Sequence, residues 1–514
     1  MFFFFQKIKK LLPLIKLSEE EKKYINNYEK NIENKNNKEF ILFNSLHQDS
    51  FTLGLVFFLK KKLSFKYNSI YFYYDCLFNH KKKSFLNNLI KKIYLFFRYN
   101  KNRRLYTANG GKYLHPIKNI EDRKKIKIRV NKIIQNIKSS NDIINIRIDG
   151  IYFGDLIYDT YLRFSEKATY TKNDLYFIKQ IIFHLLVILC KANFLLKNFK
   201  IKYFITRYYT YIFHGALVRF FLKNRIKVIT AGYTSYQLRL HTNSRDYYSS
   251  YEWEKYKNDF SKIRNKKMNI KLAKNEIKKI FGNNNKKKYF YMKKISTFKA
   301  LKIENNFVGI IFLNCFFDAP HVSGNLLFTD FYDFIVSTLN FYRKNNFQNK
   351  ILIKPHPNAL PGNQEIINNL KKDYSDFVWI SKFTNNLDLF KKKPIFGIST
   401  FGTVLWEMAY HNIIPIAAGR TPYKSYKFVL NPSTKYDYFN LLKDTISGKI
   451  KRKTKINKKD IYEWFFMHYL NNKSLLKNND NELNPILGKN FVNFNFLNGN
   501  NEKKYAEIFN KIIL

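Results

Sequence analysis

Cysteine, proline and glycine are all scarce in this chain of 514 residues, at 3, 11 and 17 positions. The cysteines, Cys76, Cys190 and Cys315, are scattered. They make neither a disulfide framework nor a CxxC metal site, which fits a reducing cytoplasmic compartment. So few glycines and prolines exclude a collagen-like or linker-like chain. Acidic residues are also few: 38 Asp and Glu face 92 Lys and Arg, a formal net charge of +54. No uninterrupted apolar run reaches the roughly 18 residues that a membrane-spanning helix needs. The best candidate, Ile181–Cys190 (IIFHLLVILC), contains His184 and reads as a buried core helix. The absence of GxxxxGK[ST] excludes a P-loop kinase, and GxGxxG, HExxH and GxSxG are absent as well.

What the chain does have is apolar and aromatic surface. Hydrophobic residues make up 45% and aromatics 18%, far too much for a disordered basic protein. The bias toward Lys, Asn, Ile, Phe and Tyr is what AT-rich coding produces, which weakens inference from the charge, although the field it creates is real. The N-terminus, MFFFFQKIKKLLPLIKL, is apolar first and basic second, the reverse of a secretory signal. Residues 1–38 are expected to form an amphipathic arm. Phe2–Phe5 with Lys7, Lys9, Lys10 and Lys16 suit peripheral contact with an anionic membrane surface on the cytoplasmic side, or else fold onto the core.

The chain reads as an α/β protein. Ser18 and Glu21 make a capping-box pattern. EFILFNS (39–45) and SIYFYYD (69–75) read as strands flanking an apolar helical stretch, a βαβ pattern. Residues 80–140 are Lys-rich and poorly periodic, and basic helices and loops are expected there. Further strands are expected at 202–206 and 226–231. From Phe307 strands alternate regularly with short helices, at 307–313, 350–354, 377–380, 394–399 and 413–418, which implies a parallel, doubly wound sheet. The expected organisation is two Rossmann-like α/β domains facing across a cleft, 39–290 and 300–484. A hinge is placed near 285–300. The tail 485–514, ending in the amphipathic YAEIFNKIIL, is expected to pack back on the first domain. No internal repeat is visible.

Three segments of the second half carry candidate chemistry. Lys354-Pro355-His356-Pro357 closes an apolar strand, where ligands of open parallel sheets sit. Lys354 offers a point charge and His356 a directed N–H or a proton, while the prolines stiffen the loop. The bland alternative is a plain turn. Gly397–Gly419 (GISTFGTVLWEMAYHNIIPIAAG) carries a strand into a helix. Its helix start, Gly402 and the hydroxyls of Ser399, Thr400 and Thr403 suit a phosphate, and Glu407 suits a ribose diol; helix capping is the alternative. Asp318 and His321, in the loop after the first strand of this half, border the same edge, where either can act as general base or hold an acceptor. In the first half Asp155, Asp159 and Arg163 lie at i, i+4 and i+8 on one helix face. They either line an acceptor site or form an ion-pair ladder. His214 reads as a satisfied buried histidine or as part of that acceptor side.

KPHP, the strand ending in Ser-Thr, the Gly and the Glu-bearing helix, then IPIAAG and Pro422-Tyr423, resemble bacterial capsule and surface polysaccharide synthesis proteins over about residues 307–430. HGALVR and GDLIYDTYLR look like family segments of the first half. The resemblance implies a GT-B glycosyltransferase, some members moving Kdo from its cytidine monophosphate sugar, with donor binding by Lys354, His356, Ser399, Thr400 and Glu407. Asp-X-Asp, the metal-holding pair of sugar transferases of the other common fold, is absent. That favours a metal-independent mechanism with no cofactor beyond the nucleotide-sugar donor, His356 and Asp318 being the catalytic candidates. The expected partners are a nucleotide sugar, a glycan or glycolipid acceptor and an anionic membrane surface. A polyol-phosphate transferase is the alternative enzyme. A nucleic-acid-binding protein is not expected, because the basic residues are spread through every segment and no RNP-like, zinc-finger or helix-turn-helix signature occurs.

Overall fold

The computed structural model of the chain describes residues 38–46, 67–74, 85–108, 110–114, 123–231, 238–244, 247–248, 253–282, 307–324, 326–357, 359–360, 362–453 and 456–471, with residues 16, 17, 19, 22 and 25 before them. The Ser18/Glu21 capping pattern, Phe2–Phe5 with their following lysines, Cys76, the 285–300 hinge and the 485–514 tail lie outside the described residues.

Two parallel-rich sheets organise the α/β fold. The first comprises β1 (Glu39–Asn44), β2 (Asn68–Phe72), β3 (Lys112–Leu114), β6 (Lys200–Thr206), β7 (Lys227–Ala231) and β8 (Leu238–His241). Their order is β3-β2-β1-β6-β7-β8, with every pair parallel except β7–β8. The second comprises β9 (Gly309–Phe312), β10 (Ile351–Lys354), β11 (Val378–Trp379), β12 (Phe396–Ser399) and β13 (Ile414–Ala417). Its order is β11-β10-β9-β12-β13, parallel throughout. In each sheet the chain starts centrally, steps outward twice and then crosses to the other side of its first strand. This is the doubly wound order, which leaves a crevice beside the first strand at the carboxyl ends.

Strand registry follows from burial on both faces, which lets each strand be a continuous apolar run. Ile310 and Phe312 of β9 join a core with Leu352, Trp406, Met408 and Trp464. Ile311 and Leu313 join the opposite one with Ile353, Phe334, Leu339 and Tyr438. The helices that supply these faces include α7 (Phe331–Lys344), α10 (Val404–Tyr410), α11 (Lys435–Ile446) and α12 (Lys458–Phe465). Helix α7 starts where Asp330 accepts from the backbone N–H of Tyr332 and Asp333, a strong N-cap.

Three expectations are corrected. Residues 80–140 contain not only the helices α1 (Phe85–Thr107) and α2 (Arg123–Gln135) but also β3. A three-residue, half-exposed edge strand carries too little apolar alternation to read from sequence. The antiparallel edge strand β8 was likewise not expected. The first unit drawn to residue 290 ends earlier in packing terms: Tyr256, Phe260 and, from helix α6 (Lys266–Phe281), Ala273 and Ile277 belong to the core of the second sheet. The apolar helix α4 (Leu175–Asn198) buries Ile181, Ile182, Leu185 and Leu186 in the first core. Extended back to Lys172 it is long and apolar enough to cross a membrane, with 56% of its most apolar window buried; the sequence reading by uninterrupted runs did not reach that length.

Helix α10 lies close on β12, and Gly397 permits it. A Cβ at Gly397 would meet the Met408 sulfur. Gly397→Ala is therefore expected to overpack this layer, costing about 1–3 kcal/mol, read as a lower urea midpoint with an unchanged m-value.

Candidate functional site

The edge of the second sheet is built outward from β9. Lys354 at the end of β10 pairs in register with Phe312, and β12 flanks β9 on its other side. Lys354 and Ser399 therefore close two strands separated only by β9, roughly 9–10 Å apart at two strand spacings. Lys354 is 5% exposed, and its ammonium lies 6.0 Å from the Phe312 ring centroid. Among the described residues no hydrogen bond or ion pair reaches that ammonium. Burial lowers its pKa to about 8, against the upward pull of Glu407. Glu407 on α10 is also buried. Burial raises its pKa, opposed by hydrogen bonding to Thr403 and Asn386 and by Lys354. Glu407 thus acts on Lys354 electrostatically from a buried position.

The hydroxyls of the Ser-Thr loop are already engaged. Ser399 Oγ lies 3.2 Å from both the Phe312 and Phe401 carbonyl oxygens, and Thr400 Oγ1 donates to Asn314 Oδ1 at 2.7 Å. They shape the loop, and they differ in this from the free phosphate donors expected. Gly402 sits at φ +125° with open space where a Cβ would be, a backbone region that glycine tolerates and other residues rarely adopt. Thr403 begins α10 without a side-chain cap to the backbone. Because α10 spans only Val404–Tyr410, the anion attraction at this edge falls on Lys354 more than on a helix dipole. His356 follows Lys354 in the same loop and is half-buried. Asp318, expected as a base, is exposed; its carboxylate accepts from the Ala319 N–H at 3.1 Å and lies 3.5 Å from the Tyr211 hydroxyl.

A second constellation joins elements of both sheets. The hairpin of β4 (Arg147–Ile148) and β5 (Ile151–Tyr152) turns through Asp149 and Gly150, both at positive φ, as a tight Asp-Gly turn requires. It leads into helix α3 (Gly154–Ser165). The Asp155 carboxylate accepts two bonds from Arg219 of helix α5 (Ala216–Lys223), at 2.6 and 2.7 Å, and a short one from the Tyr248 hydroxyl. Arg219 also donates to the Tyr152 carbonyl and lies 4.2 Å from the Tyr247 ring centroid. Burial pushes the Asp155 pKa up, but the Arg219 charge and hydrogen bonds outweigh it and hold the carboxyl below its ordinary value.

One turn further along α3, Asp159 Oδ1 lies 2.6 Å from His321 Nδ1, and Asp159 Oδ2 accepts the His321 backbone N–H at 3.3 Å. Burial raises the Asp159 pKa to about 6, against the pull of His321. Burial disfavours imidazolium at His321, yet Asp159, with Asp155 and Asp330 behind it, leaves its pKa raised. The ion-pair ladder along α3 does not form: the partners of Asp155 and Asp159 come from elsewhere, and Arg163 stacks 6.0 Å over the Tyr211 ring. His214 is buried, its Nδ1 3.0 Å from Asn44 Nδ2 and 3.3 Å from Thr206 Oγ1. It belongs to the end of the first sheet, not to the Asp155–His321 group. A cavity of about 480 Å³ opens beside this group, lined among others by Asp155, Tyr152, Tyr248, His321, Arg420 and Lys435. Sequence reasoning missed Arg219, Tyr248 and Arg420, because their meeting depends on contacts distant in the chain. Among the described residues no group of three or more His, Cys, Asp or Glu is arranged to hold a metal ion. No protein-family model matches the chain, and no curated protein matches it.

Removing one partner of a buried pair leaves the other charge uncompensated, at about 3–5 kcal/mol. Asp155→Asn is expected to lower unfolding free energy by that order at pH 7. Because the folded pKa lies below the ordinary 3.8, the Asp155 contribution is full above that value and is lost as pH falls through the folded one. Urea unfolding of wild type and variant should therefore converge as pH falls through the folded pKa.

Proposed function

We propose that the chain is a GT-B-type glycosyltransferase that moves a sugar from a nucleotide-sugar donor to a surface-glycan acceptor, without a metal, at the cytoplasmic face of the membrane. The observation that carries this reading is Lys354: a largely buried lysine at the carboxyl edge of a doubly wound sheet, beside its switch point, whose ammonium has no hydrogen-bond partner among the described residues. Burying a cation in this way is unfavourable unless an anion completes it. A donor phosphate does so. Glu407, close enough to act on Lys354 electrostatically, keeps the ammonium charged without reaching ion-pair contact.

Catalysis then rests on charge development. As the glycosidic bond breaks, negative charge grows on the departing phosphate, and a preformed cation at that point lowers the barrier more than it tightens substrate binding. His356, held beside Lys354 in the proline-bounded loop, donates to the same phosphate. The Gly402 turn, with no side chain and open space beside it, leaves the backbone open to it. Asn314 and Phe312, which receive the hydroxyls of Thr400 and Ser399, fix the loop that faces the donor. Phe2–Phe5 and the lysines that follow supply the peripheral membrane contact.

The test uses the protonation of Lys354, whose pKa burial lowers to about 8. Below pH 8 the free protein already carries the ammonium, so nucleoside diphosphate affinity is flat with respect to this group. Above about 8 binding must take up a proton, and affinity should fall by up to tenfold per pH unit. Calorimetry with UDP and CDP from pH 7 to 9.5 should show this fall in wild type and its absence in Lys354→Met, whose affinity is lower throughout. His356→Ala should lower kcat about 100-fold, the scale of one lost transition-state donor. Equal affinity and equal pH dependence in wild type and Lys354→Met would refute the assignment.

A further inference from the structure

We propose that the cavity between α3, the 318–329 loop and Arg420 is the acceptor site, that it takes a sugar bearing an anionic substituent, and that His321 oriented by Asp159 is its general base. The inference rests on the glycosyltransferase reading and moves the base from Asp318 to His321. His321 is buried, one ring nitrogen is held by Asp159 at 2.6 Å, and its other nitrogen, Nε2, has no protein partner among the described residues. Since His321 lines the cavity, a ligand hydroxyl there is the group that can complete it. A base held in one tautomer by a carboxylate is the arrangement that proton abstraction needs.

The remaining lining defines the ligand. Tyr152 and Tyr248 offer aromatic surface and a phenol. Asp155 is neutralised by Arg219 and so does not repel an anion. The loop bridge between Leu326 and Gly419 brings Arg420 to the cavity from the end of β13. Glu254 takes one arm of Arg420 at 2.6 Å, while its Nε is buried without a hydrogen-bond acceptor. Lys435, paired with Asp333 at 3.2 Å, completes the basic side at the start of α11. A cavity of about 480 Å³ lined by one base, aromatic side chains and two cations, each cation also held by a carboxylate, fits a single phosphorylated or carboxylated sugar unit. In the step, the acceptor hydroxyl gives its proton to His321 Nε2 and its oxygen forms the bond to the donor's anomeric carbon. The anomeric C–O bond to the donor phosphate breaks, and the nucleotide leaves with that electron pair.

The experiment is titration calorimetry of the full chain with glucose 6-phosphate, and separately with glucose and with inorganic phosphate. The sugar phosphate should bind more tightly than either fragment. Arg420→Gln and Lys435→Gln should each weaken it roughly tenfold or more, as loss of a charge-assisted bond does, with UDP affinity unchanged. Lys435 is half-exposed, so its variant tests the site even if Arg420→Gln fails to fold. His321→Gln should retain sugar-phosphate affinity within a few-fold and lose transfer. In Asp159→Asn the acid limb of the kcat/KM profile should move to lower pH. The remaining groups around His321, namely Asp155, Asp330 and the Tyr158 ring, are unchanged, and a merely structural role for Asp159 would leave that limb in place. No saturable sugar-phosphate binding, or binding untouched in both cation variants, would overturn the site. Full transfer in His321→Gln would overturn the base. Loss of the Lys354 effect on UDP with sugar-phosphate binding intact would instead count against the donor reading alone.

Discussion

The structure depends on the central place of β9. A parallel sheet covered on both faces has no free surface except the ends of its strands, and β9, being first and central, sets which ends lie together. Lys354 on one side and Ser399 on the other are fixed by their pairing to β9, not by any contact between themselves. Everything polar at this edge answers the same constraint. The Ser399 and Thr400 hydroxyls bond to the β9 end and its following loop, Glu407 is buried and acts on Lys354 electrostatically, and no described residue hydrogen-bonds the Lys354 ammonium.

The cavity group follows from a second consequence of the same layout. The loop that leaves β9 runs through Asp318 to His321, and there it meets helix α3 of the first sheet. Asp155 and Asp159, one turn apart, would be costly neighbours in a dry helix face. Each is matched by a hydrogen-bonding partner from a different element, Arg219 from α5 and His321 from the β9 loop. A fold that satisfies both carboxylates in this way holds the two sheets in one register at the cavity. The Tyr158 hydroxyl adds to it by donating to Asp330 at 2.7 Å, the same carboxylate that caps α7.

Most of the second sheet was legible in the sequence, because strands buried on both faces appear as apolar runs bounded by turns. FVGIIFL, KILIK, PIFGIS and IIPIAA each contain the strand found. The short edge strands β3 and β8 were not legible, since edges need little burial and carry little pattern. The placement of α6 on the second sheet was also hidden: its amphipathic face shows that it packs, not on what. At the site, residue types and strand ends were readable, but partners were not. Spacing put Asp155, Asp159 and Arg163 on one face and suggested pairing along the helix, whereas the partners lie in other elements. Sequence favoured Asp318 over His321 as the base, and only burial and the contact with Asp159 distinguish His321.

The most direct measurement is a crystal structure of the full chain grown with a nucleoside diphosphate. A phosphate oxygen is expected at charge-assisted hydrogen-bond distance, about 2.8 Å, from Lys354 Nζ, with the nucleotide lying over the Gly402 turn and beside His356. A nucleotide bound elsewhere, or bound here with Lys354 still out of contact with every phosphate oxygen, would contradict it.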